Sequence, residues 1–414
     1  MNKNVLNLIL ALLIYLPTCA FVPLNVYLIL IGFVIFLDFN FLKSYFSNLL
    51  TFKIIDKPFT FLVLFSFLIF CLRLTDYSNW ESFKDVYSFA YLFPFTYLIS
   101  KTLFSRKGVF LYLIYFILIE CAFSFLEYLL GVSSVFTGLL TYNVFTETNL
   151  LYETRVTGLS IAASVLSIKF LIGLLLVNIF ISNQIKKIIF ETVLLISSLF
   201  AFGRIAIAAI VFFYIIKFLH NLFISKKHSW INFSFLIGIA ILIILNFSWV
   251  KSQFSRNGKV ITNTGRITNG IPGNGNSTIV NNNGIEVEEI EFVTDIDYLE
   301  MIGFKGVEMS GRNEIWNNFI HFGVTNLYEG NKGKKYMLGS YHAHNSYLEI
   351  FSTFGIILFL ILMSIFVINL NKVNYIYVFT FMFLALGQYV FFWGMSFCDI
   401  IFYYLVFFYK KENE

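Results

Sequence analysis

Charge is what this chain has least of. Asp, Glu, Lys and Arg make up 13% of its 414 residues, against 58% hydrophobic and 20% aromatic, and the mean hydropathy is +0.78. A soluble domain carries about a quarter charged residues, so that class is excluded and an integral membrane protein is indicated. Proline is scarce too, five residues against 53 Phe and 24 Tyr, so the apolar runs read as aromatic-rich helices. The four cysteines, Cys19, Cys71, Cys121 and Cys398, all stand in apolar segments and give neither a disulfide framework nor zinc spacing. Asp76, Glu81 and Asp85 are scattered rather than paired, which disfavours metal chemistry on carboxylates. P-loop, dinucleotide fingerprint and nucleophile elbow are all missing, and the lack of an internal repeat disfavours transporters built from two related halves. The net charge of +5 identifies no partner, because multi-span proteins collect lysine on cytoplasmic loops.

What is present is a series of apolar runs. Met1 to Ala20 has a basic start and an apolar core like a signal peptide, but Pro17 and Thr18 do not suit a cleavage site and more membrane sequence follows, so a first membrane helix is expected. Runs able to cross a hydrocarbon core of about 30 Å cover Val5–Thr18, Leu24–Leu42, Pro58–Leu74, Val86–Leu103, Val109–Leu130 and Gly158–Ile181. Others cover Ile188–Phe202, Arg204–Ile224, Ile231–Val250, Ser346–Leu370, Tyr375–Trp393 and Met395–Tyr409. The expected fold class is all-α integral membrane with about twelve transmembrane helices: a set in 1–250, a large loop in 251–345, and a set in 346–414. Lys43, Lys53, Lys57, Lys101, Lys186, Lys187, Lys226, Lys227, Lys372, Lys410 and Lys411 fall on one side, which puts both termini in the cytoplasm and the loop outside. One bent helix at Gly203-Arg204, in place of a hairpin, would reverse the side of that loop.

Arginine is distributed the other way. Arg73, Arg155, Arg204, Arg256, Arg266 and Arg312 lie at or beyond the outer face and only Arg106 inside, against the positive-inside tendency. A guanidinium fork fits phosphate oxygens bidentately. Diphosphate binding and a snorkelling or salt-bridged role are both open to Arg155 and Arg204, with Arg73 and Arg312 as alternatives. In the loop, Asn257–Gly284 is Asn/Gly-rich and reads as a flexible insertion, whereas Ser310 caps an expected amphipathic helix near 310–322. Its Ile315, Trp316, Phe319 and Ile320 share a face that lies on the membrane surface or against the bundle. The loop ends in Tyr341-His342-Ala343-His344-Asn345-Ser346-Tyr347-Leu348-Glu349, where water-soluble and lipid-anchored groups can meet. His344 is suited to general-base work or to simple interfacial hydrogen bonding, and His-x-His alone makes no zinc site. Within the membrane, Glu120, Glu127 and Lys169 form an ion path or, as preferred here, a buried structural ion pair.

Arg155-x-x-Gly158, Phe202-Gly203-Arg204, Gly311-Arg312-x-x-x-Trp316 and His344-Asn345-Ser346-Tyr347-Leu348, with Gly355 ten residues beyond Asn345, occur in an order that resembles the O-antigen ligase and polymerase superfamily of bacterial membrane glycosyltransferases. The resemblance spans Arg155 to Gly355 and implies an architecture similar to GT-C-type enzymes in the bacterial inner membrane. It implies a metal-independent, cofactor-free inverting transfer of a glycan from undecaprenyl diphosphate on the periplasmic side. By that resemblance His344 takes a proton from the attacking hydroxyl, Arg155 and Arg204 hold the diphosphate, and Arg312, Asn345, Arg73 and Tyr347 bind substrate. Leu358 and the Phe-Gly before Arg204 depart from the ligase pattern, which turns the expectation toward a polymerase joining lipid-linked repeat units. A ligase acting on lipid A-core and a lipid-linked oligosaccharide flippase are the alternatives. Implied partners are the lipid-linked oligosaccharide, membrane lipids, a chain-length regulator and a flippase, with no nucleic acid.

Overall fold

The computed structural model describes residues 2–20, 22, 26–51, 53–73, 80–130, 134, 156–160, 162–223, 234–235, 237–238, 260–261, 267–268, 296–301, 312–338, 342–391 and 395–410, without the side chains of 73, 80–91 and the short strands. The described residues are overwhelmingly helical. The first group of helices is α1 (Lys3–Tyr15), α2 (Val26–Leu37), α3 (Phe39–Leu50), α4 (Lys57–Arg73), α5 (Trp80–Phe104), α6 (Gly108–Leu130), α7 (Ala163–Phe180), α8 (Gln184–Ala201) and α9 (Arg204–Phe223). After a two-residue antiparallel pair, Val260–Ile261 with Ile267–Thr268, come α10 (Tyr298–Met301), α11 (Asn313–Thr325), α12 (Ser346–Ile368), α13 (Tyr375–Ala385) and α14 (Phe397–Tyr403). That strand pair falls inside the stretch read from sequence as a flexible insertion. The expected span Ile231–Val250 lies almost wholly outside the described residues.

Four of these helices, α6, α7, α9 and α12, are long and apolar enough to cross a membrane, or five with α2 and α3 counted as one bent span. Other expected runs form shorter apolar helices at Lys3–Thr18, Lys57–Leu72, Tyr375–Ala385 and Phe397–Phe408. Hydropathy overestimated continuity in two places. The run Leu24–Leu42 breaks at Asp38, where α2 and α3 meet at 72° and the Asp38 carboxylate accepts a hydrogen bond from Thr102 on α5. The run Tyr375–Trp393 stops being helical after Ala385, and the chain through Gly387–Phe391 serves α12 instead, as described below.

The bundle is centred on α7, whose Leu166 and Phe170–Val177 are buried on all sides against α6, α8 and α9. Placing Lys169 there demands a counter-charge. Glu120 on α6 supplies it, with Lys169 Nζ 2.9 and 3.0 Å from its two carboxylate oxygens. The same carboxylate accepts from the hydroxyls of Tyr15 on α1 and Ser160 and from the Leu159 amide, so one acid joins three parts of the chain. Glu127, two turns further along α6, accepts the amides of Thr157 (3.2 Å) and Gly158 (2.8 Å).

Between α8 and α9 the chain turns through Phe202 in the left-handed region, φ 41°. Gly203 follows with its amide on Ser167 Oγ at 2.8 Å, and a methyl at Gly203 would lie 2.4 Å from Ser167 Cβ, so only glycine lets this turn press onto α7. The two runs are therefore separate helices, α8 on α6 and α7, α9 on α7 and α13.

The expected amphipathic helix is α11, begun by Arg312 rather than by Ser310, which lies outside the described residues. It packs on the bundle, beside α12 and running the same way. Trp316 meets Ala343, Gly323 meets Phe351, and the Leu327 carbonyl accepts the Ile356 amide at 2.6 Å. The chain after α11, a hairpin over 326–338, reaches α12 at Gly355, about 14 Å along the helix axis from Ser346, where φ 72° and ψ 176° interrupt the helix. The returning limb bonds to the carbonyls this break exposes, Asn331 to Ser352 and Gly333 to Thr353, each at 2.8 Å. A methyl on Gly330 would lie 2.4 Å from the Gly355 nitrogen, and one on Gly355 would lie 2.7 Å from the Tyr328 carbonyl.

Gly355→Ala is expected to lower stability by about 2–4 kcal/mol, from forbidden backbone and collision together. Gly32→Ala, with nothing within 4 Å, gains up to about 1 kcal/mol. Thermal unfolding in detergent compares them, and equal midpoints would refute the crossing. Glu120→Gln is expected to cost about 3–5 kcal/mol, with Glu120→Gln/Lys169→Met recovering part of the loss in the same assay.

Candidate functional site

Asn345 starts α12: its Oδ1 accepts the amides of Tyr347 (3.0 Å) and Leu348 (3.2 Å), the usual service of an N-cap. The residue before it, His344, holds φ 51°, a conformation that costs a non-glycine residue energy and persists only when its surroundings enforce it. The enforcement falls on Ala343. Its N–H donates to Glu349 Oε1 at 2.7 Å from the first turn of α12, and its carbonyl accepts Trp316 Nε1 at 2.5 Å from α11. Two helices thus grip the two peptide groups that flank Ala343, the residue between the two histidines.

The opposite wall is the irregular chain after α13. Ser346 Oγ donates to the Gln388 carbonyl (3.0 Å) and accepts the Val390 amide (2.9 Å), and Arg312 donates to the Gly387 carbonyl at 3.0 Å. Gly387 also receives α9, since a methyl there would lie 2.8 Å from Ile205, the neighbour of Arg204. Arg204 is exposed at the first position of α9, so the Gly387 turn has one arginine on it and another beside it. Tyr389 stacks on His342 with ring centres 5.7 Å apart, and Lys335 Nζ lies 4.3 Å from the centre of the same ring.

Electrostatics follow from this crowding. Burial, and then the nearby Arg312 guanidinium, push His344 down to about 4; burial, Lys335 and His344 do the same for His342, also to about 4. Lys335 is lowered by burial, against an opposing pull from Glu349. At neutral pH both imidazoles are uncharged. Among the described residues no hydrogen bond engages a ring nitrogen of His344, so it is free to accept a proton.

Of the residues singled out from sequence, the structure brings together His344, Asn345 and Arg312, while Arg204 is linked to them only by its neighbour Ile205, which packs on Gly387. Asn345 spends its carbonyl oxygen on capping, and the Tyr347 hydroxyl donates to the Met382 carbonyl at 2.9 Å, tying α12 to α13. Arg73 ends α4, one turn beyond Ile69, which packs on Gly333 of the hairpin; its side chain lies outside the described residues. Arg155 also lies outside them, while its neighbour Val156 donates to the Phe200 carbonyl at 3.4 Å. Glu349, Lys335 and Tyr389 were not assigned roles from sequence. Glu349 alone had a legible signal, an acid in the first turn of an apolar helix. Among the described residues no three His, Cys, Asp or Glu side chains converge as a metal site. Comparison with protein-family models, curated proteins and solved structures gives no match.

His344 is expected to titrate near pH 4, and Arg312→Gln to raise that value only part of the way to 6.5, because burial is the larger cause. Imidazole NMR of histidine-labelled protein in nanodiscs reads both; a wild-type midpoint at 6.5 would contradict the buried, arginine-facing placement.

Proposed function

We propose that this chain is a membrane glycosyltransferase of the O-antigen polymerase kind, transferring a glycan from undecaprenyl diphosphate to a hydroxyl of another lipid-linked repeat unit. The observation that carries the reading is His344: a half-buried imidazole without a hydrogen-bond partner among the described residues, held in a left-handed turn with the Arg312 guanidinium nearby. In this reading the bundle crosses the inner membrane about twelve times, both termini are cytoplasmic and the His344 face is periplasmic.

The acceptor hydroxyl gives its proton to His344 as its oxygen bonds to the anomeric carbon. The bond from that carbon to the diphosphate breaks, and the diphosphate leaves with the electron pair, its charge met by Arg204 and by Arg155 from the preceding segment. Attack opposite the leaving group inverts the anomeric centre. Arg312 contributes twice, by disfavouring the resting imidazolium and by fixing the Gly387 turn. A base held near 4 stays ready throughout the neutral range, so the acid limb of the rate profile is expected near pH 4 rather than 6.5.

Electrophoresis of lipopolysaccharide from a deletion strain, beside a His344→Ala complement, tests the reading. Collapse of the ladder to core plus one repeat unit in both is the expected result. Core without any repeat, with lipid-linked polymer accumulating, would reassign the chain as the ligase. Full activity of His344→Ala would favour a flippase, and an unchanged ladder in the deletion would remove both transferase readings.

A further inference from the structure

A turn that presents His344 at φ 51° must be held from outside itself, and its holder is a residue without a role so far. Glu349 is 2% exposed, and its Oε1 takes the Ala343 amide at 2.7 Å and stands 3.7 Å from His342 Nδ1. Its Oε2 is buried with no hydrogen-bond partner among the described residues. An acid placed only for the helix dipole would sit at the surface of the first turn, hydrated, at no desolvation cost. This one is enclosed and directed back over the helix start, with one oxygen committed to the amide of Ala343, the residue before His344.

We infer that Glu349 is a positioning residue for His344 in the transfer reaction proposed above, on which the catalytic part of this inference rests. Its carboxylate oxygen and Trp316 Nε1 clamp the two ends of the Ala343 unit, which sets the direction from which the His344 ring meets a hydroxyl. The charge of Glu349 is secondary, because a neutral amide oxygen can accept the same N–H. His342, beside the same oxygen and against Tyr389, closes the clamp from the other side.

Two variants separate this role from a general loss of folding. Glu349→Gln keeps an acceptor for Ala343, whereas Glu349→Leu removes it at similar bulk. Hydrogen exchange of the full-length protein in nanodiscs is expected to show fast exchange at Ala343 in Glu349→Leu, at least about ten-fold above wild type, with α12 beyond Ile350 unchanged. Glu349→Gln should remain near wild type. With lipid-linked oligosaccharide as substrate, kcat should fall about 100-fold in Glu349→Leu at nearly constant KM, as for a misplaced reacting group, and stay within about three-fold in Glu349→Gln. Glu349→Leu with wild-type exchange and kcat overturns the inference. So does Glu349→Gln as inactive as Glu349→Leu, which would make the charge the working feature. A wild type without transfer activity overturns the functional reading instead, and the exchange result alone then decides whether Glu349 holds the turn.

Discussion

Everything in this bundle depends on the buried pairing of Glu120 with Lys169, because an apolar interior offers a charge no water and only its neighbours can satisfy it. The Glu120 carboxylate collects an ammonium, two hydroxyls and a backbone amide from α1, α7 and the chain between α6 and α7. The same solution recurs at smaller scale. Glu127 holds the amides at Thr157 and Gly158, Glu349 holds Ala343, and Asp399 closes the capping box of α14 with Ser396. In each case an acid inside or at the edge of the bundle fixes a backbone turn. These four acids thus work as internal fastening, while the positive charge of Arg312 and Lys335 shapes the field around the histidines.

That field has an unusual balance. A cation near an imidazole binds anions well but makes imidazolium costly, and burial makes it costlier. In the proposed reaction the two effects cooperate: the charge that would hold a leaving diphosphate also keeps the base unprotonated until the hydroxyl arrives. The turn fits the same economy of parts, since His344, one of the residues held at positive φ, has a ring with no hydrogen bond among the described residues.

Sequence reasoning reached the helical class with membrane-capable segments, because apolar runs leave a local trace. It also singled out the stretch 341–349 from its place at the end of a polar loop, where the structure sets His344 near Arg312. It missed what depends on distant partners. An apolar run breaks at Asp38, which bonds to Thr102, and the chain after Ala385 leaves its helix and binds Ser346 and Arg312. A hydropathy window averages composition and is blind to both. Gly355 was visible only as a spaced glycine; its reason, a second backbone crossing through Gly330, lies in a segment about two dozen residues earlier.

The crossing of Gly330 over Gly355, about 14 Å along α12 from Ser346, is a contact between two main chains with no side chain interposed. Side-chain size is the quantity that substitution varies most readily, and it has no part in setting the spacing there. Hydrogen-bond lengths between Leu327 and Ile356 and between Asn331 and Ser352 set it instead. The separation of the two segments is therefore a constant of backbone geometry. Side chains nearby can be exchanged residue by residue while the spacing at the crossing stays where two peptide chains put it.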